Sequence, residues 1–407
     1  MHCRSCGYYL RDGWWRTRRA ACAECGSDNP YLLRLKKGLS RGLPEGQVQI
    51  LDAYNPAPRA GRVAFAFESF DHPAVTALAE RYDHARAMAG QQDEVRAQLA
   101  LMDWLNRHLL AGARAIEVND GVRWRRAFDP ERKGDKFDRD LMDTDVLACS
   151  GFSFAFVKLA SSVGHVARTV NVLAEDTPYG KHSVPHMIVE IWSNELVKWI
   201  VLDPLFNHSW WRKGRPLSAL EVRDERFRNG GRDVETRWGL SETAFPRVPE
   251  LGPTAGSPLK FAWVLYYTAN NYAAFPVGQK FWRAMLFRDR HNEGRPLVGW
   301  PGGTHRPYGG EGLLDESPDR DDFDWPVNLT ELNVTCDEPG VLSVHCQTRT
   351  PNSSHFEVRR GGRATRREEP GFKWRLRDGV NRLEVRAVNR LDVKGHPSRV
   401  ELEWRPK

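Results

Sequence analysis

The chain has no run approaching the ~18 consecutive apolar residues that a membrane-spanning helix requires. The closest, Phe261–Phe275, is broken by Thr268, Asn270 and Asn271. The N-terminus, Met1-His2-Cys3-Arg4, lacks the apolar stretch of a secretory signal. Together these absences exclude a helical membrane protein and give the expectation of a soluble, cytoplasmic one. Internal repeats and low-complexity tracts are also missing. The glycine-rich stretch 294–312 contains Pro301-Gly302-Gly303-Thr304-His305 but no lysine at the spacing of a phosphate loop, which excludes that mode of nucleotide binding. This stretch reads either as a flap over a cleft or as a long surface loop.

What is present describes a globular chain. At 41% hydrophobic and 11% aromatic residues it is not mainly disordered, and 407 residues suggest two or three domains, because a single core stops growing well below that length. The formal charge of +7 is unevenly distributed. Residues 1–43 carry nine basic and three acidic side chains, residues 353–407 carry fifteen and eight, and residues 44–352 therefore have a net charge of −6. Two basic modules flank an acidic middle. A sequence pI near 9.0 would by itself invite a nucleic-acid reading; partitioned, the charge points to substrate or partner capture at the ends.

The seven cysteines divide into groups. Cys3, Cys6, Cys22 and Cys25 form Cys-x2-Cys-x15-Cys-x2-Cys, a spacing that gathers two thiolate pairs around one tetrahedral metal. Gly7 and Gly26 follow the pairs and allow the tight knuckle turns. Two disulfides are the competing reading, disfavoured where no secretion signal is present. The segment resembles a bacterial zinc ribbon, which implies a structural Zn2+ held by all four thiolates with no open coordination position. Between the pairs lies Trp14-Trp15-Arg16-Thr17-Arg18-Arg19, which reads either as a solvated basic tip or as a small platform for nucleic acid. Cys336 and Cys346 fall in alternating β-like runs and read as core thiols.

The remaining pattern gives an α+β fold. We expect a zinc ribbon over 1–30, a connector over 31–60, an α+β core with a C-terminal extension over 61–323, and an all-β sandwich over 324–407. Within the core, 61–68 reads as a strand, and 72–89 and 91–111 read as helices. The segment Cys149–Val163 reads as a helix buried nearly all round. Strands follow at 165–174, 184–192 and 196–202, with Ser193-Asn194-Glu195 turning between the last two, then helices at 217–228 and 260–272. In the terminal unit, the alternation over 378–389 puts Leu383, Val385 and Ala387 inward and Arg382 and Arg386 outward.

Cys149 opens the apolar helix, where the partial positive charge of a helix N-terminus favours a thiolate. With a turn centred on Asn194, His186 lies eight positions before it and Asp203 nine after, nearly opposed across a hairpin. A thiol, an imidazole and a carboxylate in this relation form a nucleophile, its base and the group that orients the base. His165 and His182 compete as bases; His182 precedes Pro185 in a loop and ranks below His186.

Residues from about 65 to 207 resemble the transglutaminase-like superfamily, relatives of papain-type folds. The matching pieces are Cys149-x-x-Phe152, Gly164-His165-Val166-Ala167-Arg168, the run from His186 to Trp192, and Lys198-Trp199 leading to Asp203-Pro204. The resemblance implies a catalytic triad of Cys149, His186 and Asp203 and acyl transfer from an amide or peptide, with water or an amine as acceptor. Leu147 and Ala148 depart from the Gly-x-Cys or Gly-Gln-Cys of many members, which leaves the Cys149 backbone N–H as the oxyanion donor to name. The C-terminal stretch 378–389 resembles immunoglobulin-like or fibronectin-type sandwich modules. Two other classes stay open at this point: a scaffold that keeps the fold without the chemistry, and a protein that binds nucleic acid through the ribbon tip.

Overall fold

The computed structural model describes residue 39 and residues 48–58, 61–111, 149–174, 186–241, 256–272, 284–293 and 314–406. The four cysteines of the ribbon, the basic tip at 14–19, His182 and the stretch 294–312 lie outside the described residues. The chain divides into two units, one of residues 1–59 with 326–407 and one of Ala60–Trp325.

The first strand, β1 (Val48–Tyr54), belongs to the same unit as the C-terminal residues, so part of the segment expected as a connector is a strand instead. Its backbone finds a partner about 350 residues further along, a pairing that local sequence pattern does not reveal.

The larger unit contains α1 (Pro73–Arg81), α2 (His84–Met88), α3 (Glu94–Ala111) and α4 (Cys149–Ser162), then β2 (Ala167–Leu173), β3 (His186–Ser193), β4 (Lys198–Asp203), β5 (His208–Arg212) and β6 (Arg215–Pro216). It continues through α5 (Ala219–Asn229), β7 (Glu235–Trp238), β8 (Trp263–Tyr267), β9 (Ala284–Phe287) and β10 (Leu314–Ser317). The strands form one sheet in the order β10-β9-β8-β2-β3-β4-β5-β6, with β7 on β5, antiparallel except for β9 with β10.

Alternation along the central strands explains the layering. Met187, Val189, Ile191, Ile200 and Leu202 pack with Leu101, Met102 and Leu105 of α3 and Phe152, Phe156 and Leu159 of α4. Their neighbours Ile188 and Val201 join Val170, Val172 and the start of α5, Ala219, Leu220 and Val222. The sheet is thus covered on both faces, which is why every residue of β3 and β4 is buried. Helix α4 is buried round its circumference, as its run of phenylalanines suggests.

Three elements differ from the sequence expectation. Residues 61–68 make only one isolated bridge, Ala66 to Ala269, and the rings of Phe65 (tilted) and Phe67 (edge-on) pack against Trp325 instead of lining a strand. The helix expected over 72–89 is two helices, because Tyr82 turns extended (φ −116°, ψ 149°) after α1. The helix expected over 260–272 is β8, pairing with β2 and β9. Trp263-Val-Leu-Tyr-Tyr267 is buried on both faces, and a short, wholly apolar run carries no period to separate helix from strand.

The smaller unit adds β11 (Thr330–Glu338), β12 (Val341–Thr348), β13 (Ser353–Arg360), β14 (Arg363–Arg367), β15 (Gly371–Arg375), β16 (Gly379–Asn389) and β17 (Ser398–Trp404). A five-stranded sheet, β1-β17-β16-β13-β14, and a three-stranded sheet, β11-β12-β15, share one core of Leu332, Val344, Trp374, Val358, Leu383, Val385 and Leu402, which makes a β-sandwich. Cys346 lies in that core, whereas Cys336 is only half-buried. Several basic side chains of this unit are already paired on the sheet surface: Arg386 and Lys394 with Glu357, Arg382 with Glu401, and Arg399 with Glu384. Much of the excess charge there is therefore a solvated face, and such exposed pairs contribute little stability.

Candidate functional site

Helix α4 begins at Cys149, whose thiol is half-buried. One turn on, the Ser153 hydroxyl donates to the Met187 carbonyl at 3.1 Å, tying the first turn of α4 to the start of β3. His186 is the first residue of β3 and Asp203 the last of β4. The β3–β4 register pairs Val189 with Leu202, so Asp203 falls opposite residue 188 and diagonal to His186, two positions from direct opposition. From there His186 Nε2 reaches Asp203 Oδ2 at 2.6 Å, leaving Nδ1 as the ring nitrogen available to the thiol. His186 and the Met187 backbone N–H both lie close enough to Cys149 to favour its charged form. The structure thus brings together all three residues singled out in the sequence.

The carboxylate is fully buried, and both of its oxygens are used. Oδ1 accepts the backbone N–H groups of Leu205 (3.1 Å) and Phe206 (3.2 Å), while Oδ2 faces the imidazole. That loop is set by α3. Asn106 donates from Nδ2 to the carbonyls of Pro204 (3.0 Å) and Leu205 (2.9 Å), and Asp103 accepts from Asn207, which has positive φ. The Phe206 ring lies 5.5 Å from that of His186 and closes one side of it.

The electrostatics follow from these contacts. Burial opposes a charge on Cys149, but the hydrogen bond and positive charge of His186, with the Met187 N–H, outweigh it and pull the thiol below its ordinary range. Burial likewise disfavours the imidazolium, yet Asp203 and the thiol beside it raise His186 to about 9. Asp203 is held below the usual carboxylate range against its own burial, chiefly by His186. These shifts favour a thiolate, an imidazolium and a carboxylate in series, a set suited to nucleophilic attack followed by proton delivery to a leaving group.

Of the competing histidines, His165 is elsewhere: its Nδ1 lies 3.9 Å from Glu94, and burial lowers it to about 4. Sequence reasoning missed four contributors. Asp103 and Asn106 are polar positions within an otherwise apolar helix face, which is a readable signal of a buried polar task. His208 sits five residues after Asp203 and pairs with it across β4 and β5. Lys260 was hidden by the helix expected there.

Among the described residues no cluster of His, Cys, Asp or Glu is arranged to hold a metal ion, and no helix is long and apolar enough to cross a membrane. No protein-family model and no curated protein matches the chain.

Proposed function

We propose that the chain is a cysteine-dependent acyl-transfer enzyme acting on amide or peptide bonds, with Cys149, His186 and Asp203 as its triad and water as the favoured acceptor. The supporting observation is the 2.6 Å His186–Asp203 contact on an imidazole whose other side meets a thiol at a helix N-terminus. The nucleophile's helix packed on an antiparallel sheet, with base and carboxylate on adjacent strands, is what a transglutaminase-like core requires. In this reading the thiolate attacks the carbonyl carbon, the C–N bond breaks, and the imidazolium gives its proton to the departing amine. His186, now neutral, takes a proton from water as the oxygen attacks the thioester. The carboxylic acid leaves, and the thiolate and imidazolium are restored. An amine in place of water would complete a transamidation by the same proton path. Alkylation of Cys149 by iodoacetamide well above the rate of a free thiol at pH 6–7, together with loss of turnover in Cys149→Ala, is the expected result; an ordinary thiol overturns it.

The pH profile follows. Proton delivery needs the imidazolium, which is lost as pH rises through about 9, and attack needs the thiolate, which is lost as pH falls through the depressed Cys149 value. We expect a bell-shaped kcat/KM with its alkaline limb near 9. A plateau extending to pH 11 would remove His186 from that role.

We propose further that Cys3, Cys6, Cys22 and Cys25 hold a structural Zn2+, since two Cys-x2-Cys pairs supply the closed set of four thiolates such a site uses. Atomic spectroscopy should find about one zinc per chain. Cys22→Ser should lower that content, and Cys149 should keep its rapid alkylation, because a closed site has no open position for chemistry. Undiminished zinc in the variant would count against the assignment.

A further inference from the structure

The two peptide units that donate to Asp203 are also the two that Asn106 grips. Asp203 Oδ1 accepts the backbone N–H groups of Leu205 and Phe206 at 3.1 and 3.2 Å. The carbonyls of those same units, Pro204 and Leu205, accept from Asn106 Nδ2 on α3 at 3.0 and 2.9 Å. A trans peptide is planar and points its C=O and N–H in opposite directions. Each unit is therefore held at both ends, by one amide nitrogen on one side and one carboxylate oxygen on the other, and neither plane turns without losing a bond at each end. Asn106, Pro204 and Leu205 are all buried. One turn back on the same face of α3, Asp103 Oδ1 accepts from Asn207 Nδ2 at 2.7 Å. Asn207 sits at φ 53°, its carbonyl accepts the Gly239 N–H at 2.8 Å, and a Cβ at Gly239 would come within 2.5 Å of Asn207 Oδ1. The chain leaving β4 is thus pinned from Pro204 to Asn207, well beyond what a surface turn needs.

We propose that Asn106 is a positioning residue for the reaction: by fixing the 204–205 and 205–206 peptide planes it keeps both N–H groups on Asp203 Oδ1 and so aims Oδ2 at His186 Nε2. This role rests on the triad reading given above. A carboxylate with one oxygen pinned presents the other in one direction, and the 2.6 Å contact to the imidazole depends on that direction. The hydrogen bonds running from the Asn106 amide through two peptide groups to the carboxylate also polarise one another in a buried setting.

The pH dependence of Cys149 alkylation by iodoacetamide tests this on the full-length protein. His186, His208 and Lys260, which lie within electrostatic reach of Asp203, are all retained in an Asn106 variant, so a shifted profile reports the loop. In Asn106→Leu the carboxylate loses its aim and the imidazolium its support. The two steps of the profile should then close on each other: the acidic step, where the thiolate forms, should rise by about one pH unit, and the alkaline step near 9 should fall by about as much. Gln98→Leu is the control. Gln98 lies eight residues earlier on α3, is 1% exposed, and donates to the Trp192 carbonyl at 2.8 Å, at the end of β3 away from His186. Its loss should lower the urea midpoint comparably and leave both steps in place. If the leucine variant does not fold, Asn106→Ser decides, since a smaller side chain with one donor should move the steps in the same sense by less. Steps unmoved in a folded Asn106 variant, or moved equally by Gln98→Leu, overturn the positioning role. Steps that move apart overturn it too, because the N–H groups would then only draw charge from Asp203 without aiming it. A wild-type Cys149 no faster than a free thiol at pH 6 defeats the triad and the positioning role together, whereas a fast thiol whose steps ignore Asn106 defeats only the second.

Discussion

Changing His186 to alanine should slow the alkylation of Cys149 by iodoacetamide about ten- to a hundredfold at pH 6. A free thiol with a pKa of about 8.5 is only ~0.3% ionised there, whereas a thiol beside an imidazolium is largely thiolate. The ratio of thiolate fractions is therefore about 300, but a thiolate of lower pKa is also a weaker nucleophile, which takes back part of the gain. The difference should narrow as pH rises through about 9. There the imidazolium of the wild type, with its pKa of about 9, loses its charge and with it the support it gives the thiolate. A variant that alkylates at the wild-type rate at pH 6 would sink the pair. Asp203→Asn supplies a second arm, because it keeps the shape of a fully buried side chain. Turnover should fall by up to about 10^4 through loss of the imidazole's orientation and charge support, while binding of substrate changes little.

The two ends of this pair also oppose each other in pH dependence. Asp203 is depressed in the fold, so its share of stability is present at neutral pH and is lost as pH falls through its folded value. His186 is raised to about 9, so its share is complete below about 6.5 and is lost as pH rises through 9. The pair should therefore stabilise the fold most in mildly acidic solution, below the pH at which an unpaired imidazole loses its proton.

Much of this site was legible because its signals are local. A cysteine opening a phenylalanine-rich helix and two alternating runs joined by Ser193-Asn194-Glu195 are patterns within a few residues, and they place Cys149, His186 and Asp203 at the ends of their elements. The hairpin arithmetic erred by three residues: a turn centred on Asn194 sets Asp203 opposite residue 185, whereas the turn over 194–197, with Val197 at positive φ, sets it opposite residue 188. The observed register puts the carboxylate on the same face as the imidazole and diagonal to it, and a histidine side chain spans the offset. What stayed hidden depends on distance in sequence or on ambiguity of period. The partner of β1 is about 350 residues away, and β8 is apolar at every position. The Asn106 contacts to Pro204 and Leu205 depend on a helix and a loop a hundred residues apart meeting at one point.

Loss of Arg168 should destabilise the larger unit by about 3–5 kcal/mol for Arg168→Met. Its guanidinium is 2% exposed, bonded to Glu190 Oε2 from Nε at 3.0 Å and from Nη2 at 2.6 Å, and lies 4.0 Å from the ring centroid of Trp199 and 4.3 Å from that of Tyr266. Glu190 also accepts the Ala219 backbone N–H at 2.7 Å from Oε1, so one carboxylate joins β2, β3 and the first turn of α5. Burial already pushes the Glu190 carboxyl upward against the pull of Arg168, and without the guanidinium the shift grows. The variant should then fold with Glu190 protonated. A carboxyl that holds its proton in the fold but not in the unfolded chain makes stability fall as pH rises, by about 1.4 kcal/mol per unit above the unfolded value of about 4.3, until the folded pKa is passed. Urea denaturation of Arg168→Met should accordingly show a midpoint that drops between pH 5 and pH 8 relative to wild type, and Arg168→Met with Glu190→Gln should abolish that slope while recovering part of the loss. Parallel midpoints for the single variant and wild type across this range would mean that the carboxylate finds another partner. Because β3 carries both Glu190 and His186, the single variant at pH 8 should also lose rapid alkylation of Cys149 at lower urea than wild type, which links the buried pair to the geometry of the thiol site.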